Sequence, residues 1–236
     1  MTLHLYDHVL AAVLSLGLPL LGYFDFLRLR RMAPLGAGAA RLRAYRKLLV
    51  EQWLLFAVVL ALWMWLDRPF LDLGLVPAKV EWWRLFLGTS VALAGLILLE
   101  QQRRMAEDDP EAREAIQAEL EPLRPLLPHS RDEARWFRAV SITAGICEEL
   151  LYRGFLLAYL GATMPVGAAV ALASLIFGFG HIYQGHVGMA KTGALGAVFC
   201  GLYLLTGSLF IPMMVHVAID WINGDIANSV LRRGSG

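Results

Sequence analysis

The chain alternates long apolar runs with short clusters of charge, and about 20 apolar residues is the length of helix that crosses the hydrocarbon core of a bilayer. Seven runs reach or approach that length: His8–Leu27, Leu48–Leu66, Trp83–Leu99, Phe137–Leu160, Met164–Tyr183, Gly188–Thr206 and Ser208–Ala227. In lipid every backbone N–H and C=O has to be satisfied within the protein, so such runs fold as helices. The expected fold class is all-α, a polytopic transmembrane helical bundle of about seven spans. Composition agrees: 58% of the 236 residues are hydrophobic and 17% charged, where a soluble domain carries about a quarter charged. The length suits one integral membrane domain and leaves no room for a second sizeable one.

Lys and Arg set the orientation. The first connection carries Arg28, Arg30, Arg31, Arg41, Arg43, Arg46 and Lys47; the third carries Arg103, Arg104, Arg113, Arg124, Arg131 and Arg135; the tail carries Arg232 and Arg233. The connections around Gly161 and Gly207 carry no charge. Seven spans with the N-terminus outside put each basic cluster and the C-terminus in the cytoplasm. The third connection, Glu100–Arg135, reads as a charged cytoplasmic helix broken near Pro122, Pro125 and Pro128. Trp53, Trp63, Trp65, Trp82 and Trp83 fall near span ends, where tryptophan anchors a helix to the interface. Gly193, Ala197 and Gly201 form a four-residue stripe suited to close helix packing.

Several function classes drop out. A net charge of +1 without a basic surface offers nothing to nucleic acid. Cys147 and Cys200 both lie in apolar runs and read as buried reduced thiols, not as a disulfide framework. Met1–His8 has no basic stretch of the signal-peptide kind, so a removable leader is not expected. Gly234-Ser235-Gly236 reads as an appended tail outside the fold.

An ionisable group in hydrocarbon is costly, so each one is a functional candidate with a partner to be found. The fourth run contains Glu148, Glu149 and Arg153; the fifth ends in Phe177-Gly-Phe-Gly-His181; the seventh contains His216 and Asp220. Glu149 and Arg153, four apart, share a helix face and can pair. Glu148 is turned about 100° away, so it faces the bundle interior with a different partner. His216 and Asp220 also share a face. Phe177 reads as packing and His186, past the span end, as a surface residue. Straight helices would set His181 nearer the cytoplasm than Glu148, so convergence requires unwinding at Gly178 and Gly180 or a kink at Pro212.

Glu-Glu-x-x-x-Arg, then Phe-x-x-x-His, then His-x-x-x-Asn/Asp on successive membrane helices resembles the CPBP (CAAX protease and bacteriocin-processing, or Abi) family, and is similar to the type II CAAX prenyl endopeptidases. The resemblance covers about 134–228. It divides the chain into 1–133, three spans plus a charged connecting helix, and 134–228, a CPBP catalytic core. That family usually has eight spans, and often carries Asn where Asp220 stands here.

The resemblance implies an intramembrane endopeptidase in which Glu148 activates water, His181 holds that water, and His216 with Asp220 stabilises the oxyanion. Arg153 would fix Glu149. Asp220 would act either as a protonated donor or as an acceptor orienting His216. Family members are often labelled metalloproteases, and Glu148, His181 and His216 would be the ligands if zinc is present. No His-Glu-x-x-His helix occurs, so no cofactor is favoured and Zn2+ remains the alternative. The expected partners are the lipid bilayer and a peptide substrate, membrane-associated or lipid-modified. The Ala-, Leu- and Arg-rich composition suggests a prokaryotic cytoplasmic membrane. Two competing readings are a catalytically silent immunity or scaffold protein, expected to lack a motif residue, and an ion or metal transporter, expected to show paired halves.

Overall fold

A computed structural model describes residues 2–32 and 37–233. The basic tail side chains and Gly234–Gly236 lie outside what it describes. The described residues fold into helices joined by turns and loops, without strands.

We number the helices in chain order. α1 spans Leu5–Met32, with a π-helical turn at Val13–Gly17. α2 is Ala37–Trp65, α3 Trp82–Asp108 and α4 Pro110–Leu120. α5 starts as Arg131–Glu149, passes through a π-helical segment at Leu150–Leu156 and ends as Leu157–Gly161. α6 is Val166–Gly180, α7 Gly185–Thr206 and α8 Phe210–Arg233. All but the short α4 correspond to the seven apolar runs. Leu5–Met32, Gly38–Trp65, Trp82–Met105 and Ile182–Thr206 are long and apolar enough to cross a membrane, while Val166–Gly180 is apolar but shorter. α5 and α8 carry the ionisable groups.

Two local differences from the sequence reading have simple causes. α3 runs on past Leu99 and breaks at Asp109, whose side chain accepts from the Glu111 N–H while Pro110 opens α4. Proline at the first helical position gives up an N–H that had no partner there anyway. Pro212 does not kink a span, because it sits in the first turn of α8.

The core gathers on α5: Leu150, Leu151, Phe155 and Leu156 are buried against Leu14, Val59, Trp63, Ala169 and Phe177. Trp63 is therefore a core residue and not an interfacial anchor. Its Nε1 donates to the Pro69 carbonyl (2.9 Å) and its ring faces Phe155. Trp65, Trp82 and Trp83 are exposed, as anchors should be. At this end Arg68 clasps the buried Asp7 at 2.7 Å. At the other end Arg41 on α2 grips Glu133 at the start of α5 (3.0 and 3.2 Å). Burial pushes the Glu133 carboxyl up, but the Arg41 guanidinium and the His129 N–H outweigh it and hold the group below its ordinary value.

Close helix approach depends on glycine in two places. A Cβ on Gly178 would come within 2.7 Å of the Met189 carbonyl and 3.0 Å of the Gly193 Cα, so α6 and α7 meet backbone to backbone. The contact row on α7 is Gly193 with Gly196, three residues on, and not the expected Gly193–Gly201 stripe; around Gly201 there is open space. A Cβ on Gly145 would meet the Val217 backbone nitrogen at 2.6 Å, which locks α5 onto α8 one turn before Glu149 and one residue after His216.

Gly145→Ala must therefore push α5 and α8 apart. Overpacking of this kind costs about 1–3 kcal/mol, so its thermal midpoint in detergent should fall. Gly161→Ala, where a Cβ meets nothing within 4 Å, should leave the midpoint unchanged.

Candidate active site

α5 and α8 supply the centre of the site. Glu149 is fully buried, and its Oε1 accepts from Arg153 Nη1 at 2.9 Å and from His216 Nδ1 at 2.8 Å. One carboxylate oxygen thus joins a cation on its own helix to an imidazole on another. The first contact is the pairing that the four-residue spacing suggests; the second was not foreseen, since His216 was expected to lean on Asp220. Asp220 Oδ2 stands 3.6 Å from His216 Nε2, an ion-pair distance but too long for a hydrogen bond. His216 is accordingly oriented from Glu149.

The Arg153 guanidinium is enclosed as well. It donates to the Gly196 carbonyl (3.3 Å) and lies 4.0 Å from the Phe177 ring centroid and 5.0 Å from that of Phe199. A cation over aromatic faces gains electrostatically where water is absent. Phe199 also stacks on His216, with centroids 5.0 Å apart and planes at 24°. Phe177 is therefore packing, as read, but packing that encloses the Arg153 guanidinium.

Around this buried hub lies a second, half-buried layer of Glu148, His181 and Asp220. His181 follows the last residue of α6 and leaves helical geometry, with φ −107° and ψ 22°. Its Nδ1 donates to the Phe177 carbonyl at 2.9 Å, which leaves Nε2 as the ring's open position. A 3-10 turn, Ile182–Gln184, then leads to Gly185 at φ 77° and into α7. A left-handed φ at this junction suits glycine alone. α6 stays helical through Gly178 and Gly180, the expected points of unwinding, and leaves helical geometry only at His181. His186 is exposed, as expected of a surface residue.

The Phe177 ring meets both the Arg153 guanidinium and the His216 ring, and His216 meets Glu149, so the structure brings together residues of all three motifs. Glu148 does not share a partner with Glu149. Its Oε1 accepts from Gln52 Nε2 on α2 at 2.8 Å, while its Oε2 is buried without a partner among the described residues. Gln52 escaped the sequence reading, which followed ionisable groups; the signal was an amide inside an apolar run. Phe199 gave no signal, because one phenylalanine in a hydrophobic helix looks like another.

The ring of Tyr183 lies 5.8 Å from that of His181. Tyr183 also borders a cavity of about 740 Å³ lined by Phe26, Arg30, Arg41, Arg124 and His129 among others. Cys147 and Cys200 are buried and unbonded.

Among the described residues no three His, Cys, Asp or Glu groups gather so as to hold a metal ion. Of the set Glu148, His181 and His216, the last has one ring nitrogen bound to Glu149 and the other turned toward Asp220.

The fold and this constellation define a class: a helical membrane bundle with a buried carboxylate–imidazole site. Residues 131–222 match the family model described as type II CAAX prenyl endopeptidase Rce1-like. The match is in line with the resemblance carried by the motifs, and the matched segment contains the α5–α8 cluster through Asp220. Searches of curated proteins and of solved structures returned no match.

The two glutamates should separate in a stability test. Removing one partner from a buried ion pair costs about 3–5 kcal/mol, so Glu149→Ala should sharply lower the thermal midpoint in detergent. Glu148→Ala, which gives up one hydrogen bond, should lower it far less.

Proposed function

We propose that the chain is an intramembrane endopeptidase that hydrolyses a peptide bond in a membrane-associated or lipid-modified, CAAX-like substrate, with water activated by Glu148. The observation that carries this is the buried Oε2 of Glu148, without a partner among the described residues and next in sequence to the Glu149–His216 contact, within a segment that matches a protease family model.

In this reading Glu148 Oε2 takes a proton from water, and the water oxygen bonds to the scissile carbonyl carbon as the C=O π electrons move onto oxygen. His181 Nε2 holds the water, its Nδ1 being committed to Phe177. His216, when both ring nitrogens carry protons, aims Nε2–H at the developing oxyanion; donors fixed in advance for that charge are a large part of catalysis in a water-poor site. Collapse breaks the C–N bond as Glu148 returns its proton to the leaving nitrogen. Arg153 acts through Glu149, which orients His216. No step requires a metal.

Asp220 is the protonated donor here, because orientation of His216 already comes from Glu149 at 2.8 Å. In this reading the N-terminus lies outside and the C-terminus in the cytoplasm of a prokaryotic membrane, the orientation that the basic clusters favour. The substrate then arrives through the cavity beside Tyr183, which the same arginines border.

The test uses purified protein in liposomes with an internally quenched peptide ending in an isoprenylated CAAX sequence. Wild type should release the C-terminal fragment, and Glu148→Ala should be slower by at least about 10²–10⁴-fold. Cleavage by Glu148→Ala at the wild-type rate would sink the assignment. Activity should survive strong chelation; stoichiometric zinc, lost together with activity in His181→Ala or His216→Ala, would overturn the metal-free mechanism.

Asp220→Asn should keep most of the activity, since an amide preserves a donor at that position. A folded but inactive Asn variant would instead assign Asp220 an ionised, orienting role.

A further inference from the structure

The only hydrogen bond to the Glu148 carboxylate among the described residues comes from outside the segment that matches the family. Gln52 sits on α2, and its Nε2 reaches Glu148 Oε1 at 2.8 Å. That placement is held from both sides. Arg41 is clamped to Glu133, Tyr45 donates to the Leu126 carbonyl, and Trp53 Nε1 donates to Thr143 Oγ1 at 3.1 Å. These contacts set the register of α2 against α5, so the amide arrives at one place.

The pair makes little sense as fold stabilisation. Gln52 Oε1 and Glu148 Oε2 are both buried with no partner among the described residues. A buried acceptor without a donor is costly, and two such atoms flank this single hydrogen bond. Methionine in place of Gln52 would fill a similar volume without an orphaned oxygen. What the amide provides is direction: Oε1 of Glu148 is engaged, and Oε2 is the oxygen left open. We propose that Gln52 is a positioning residue of the hydrolysis, fixing the Glu148 carboxylate so that Oε2 faces the water and the substrate carbonyl. The proposal rests on Glu148 being the base, as proposed above.

The experiment compares Gln52→Met, with Gln52→Leu as a second apolar replacement, against wild type and Glu148→Ala, using the isoprenylated peptide in liposomes and thermal midpoints in detergent. Removing a group that orients a reacting residue typically costs about 10–100-fold in activity. The expected result is that loss in kcat, a KM within about twofold of wild type, and an unchanged or higher midpoint. Wild-type kcat in both Gln52 variants, with Glu148→Ala inactive, overturns this inference and leaves the proposed function standing. A fall in midpoint matching the loss of activity also overturns it, since the role would then be structural. Full activity in Glu148→Ala removes the base itself, and with it both proposals.

Discussion

A carboxylate buried among helices is costly unless it is matched, and this structure matches Glu149 twice through one oxygen. Arg153 satisfies it from within α5, and His216 satisfies it from α8. Taking charges out of water costs several kcal/mol per ion, which only good geometry and further hydrogen bonds offset. Oε1 and the guanidinium are so served, the latter over two phenyl rings and against the Gly196 carbonyl, while Glu149 Oε2 is buried without a partner among the described residues. Without Glu149 neither the cation nor the imidazole would have a reason to be where it is.

The rest of the architecture serves to bring backbones close enough for that contact. Gly145 lets α5 meet α8, and Gly178 lets α6 meet α7, so that Gly196 and Phe199 reach Arg153. The π-helical segment begins directly after Glu149, and such widened turns are frequent at functional sites. His181 gains its position by leaving the helix, with its ring pinned to the last turn of α6.

Much of this was legible in the sequence because hydrocarbon enforces a strict rule. Runs of apolar residues announced seven helices, and charged residues inside them marked the candidate residues that the bundle brings together. The Glu149–Arg153 pair followed from spacing alone. Contacts between distant helices did not follow, because spacing along one helix carries no information on which neighbour it meets. Hence His216 was paired with Asp220 on its own helix, and the tie to Glu149 went unseen. Gln52 was missed because an uncharged amide looks inexpensive beside Glu148, although in a dry interior it is not. Trp63 was misread because proximity to a span end does not distinguish a lipid-facing ring from a core one.

The shared oxygen of Glu149 also bears on how the protein is made. A charged residue at the centre of a membrane helix opposes insertion by about 2.5–3.5 kcal/mol, and α5 carries Glu148, Glu149 and Arg153 together. Arg153 relieves part of that penalty as soon as α5 coils. His216 lies 67 residues downstream of Glu149, so it emerges from the ribosome only after α6 and α7. During synthesis α5 is therefore an incompletely matched helix, best sheltered by α2 until α8 is delivered. Completion of the buried cluster and the final step of membrane integration are then the same event.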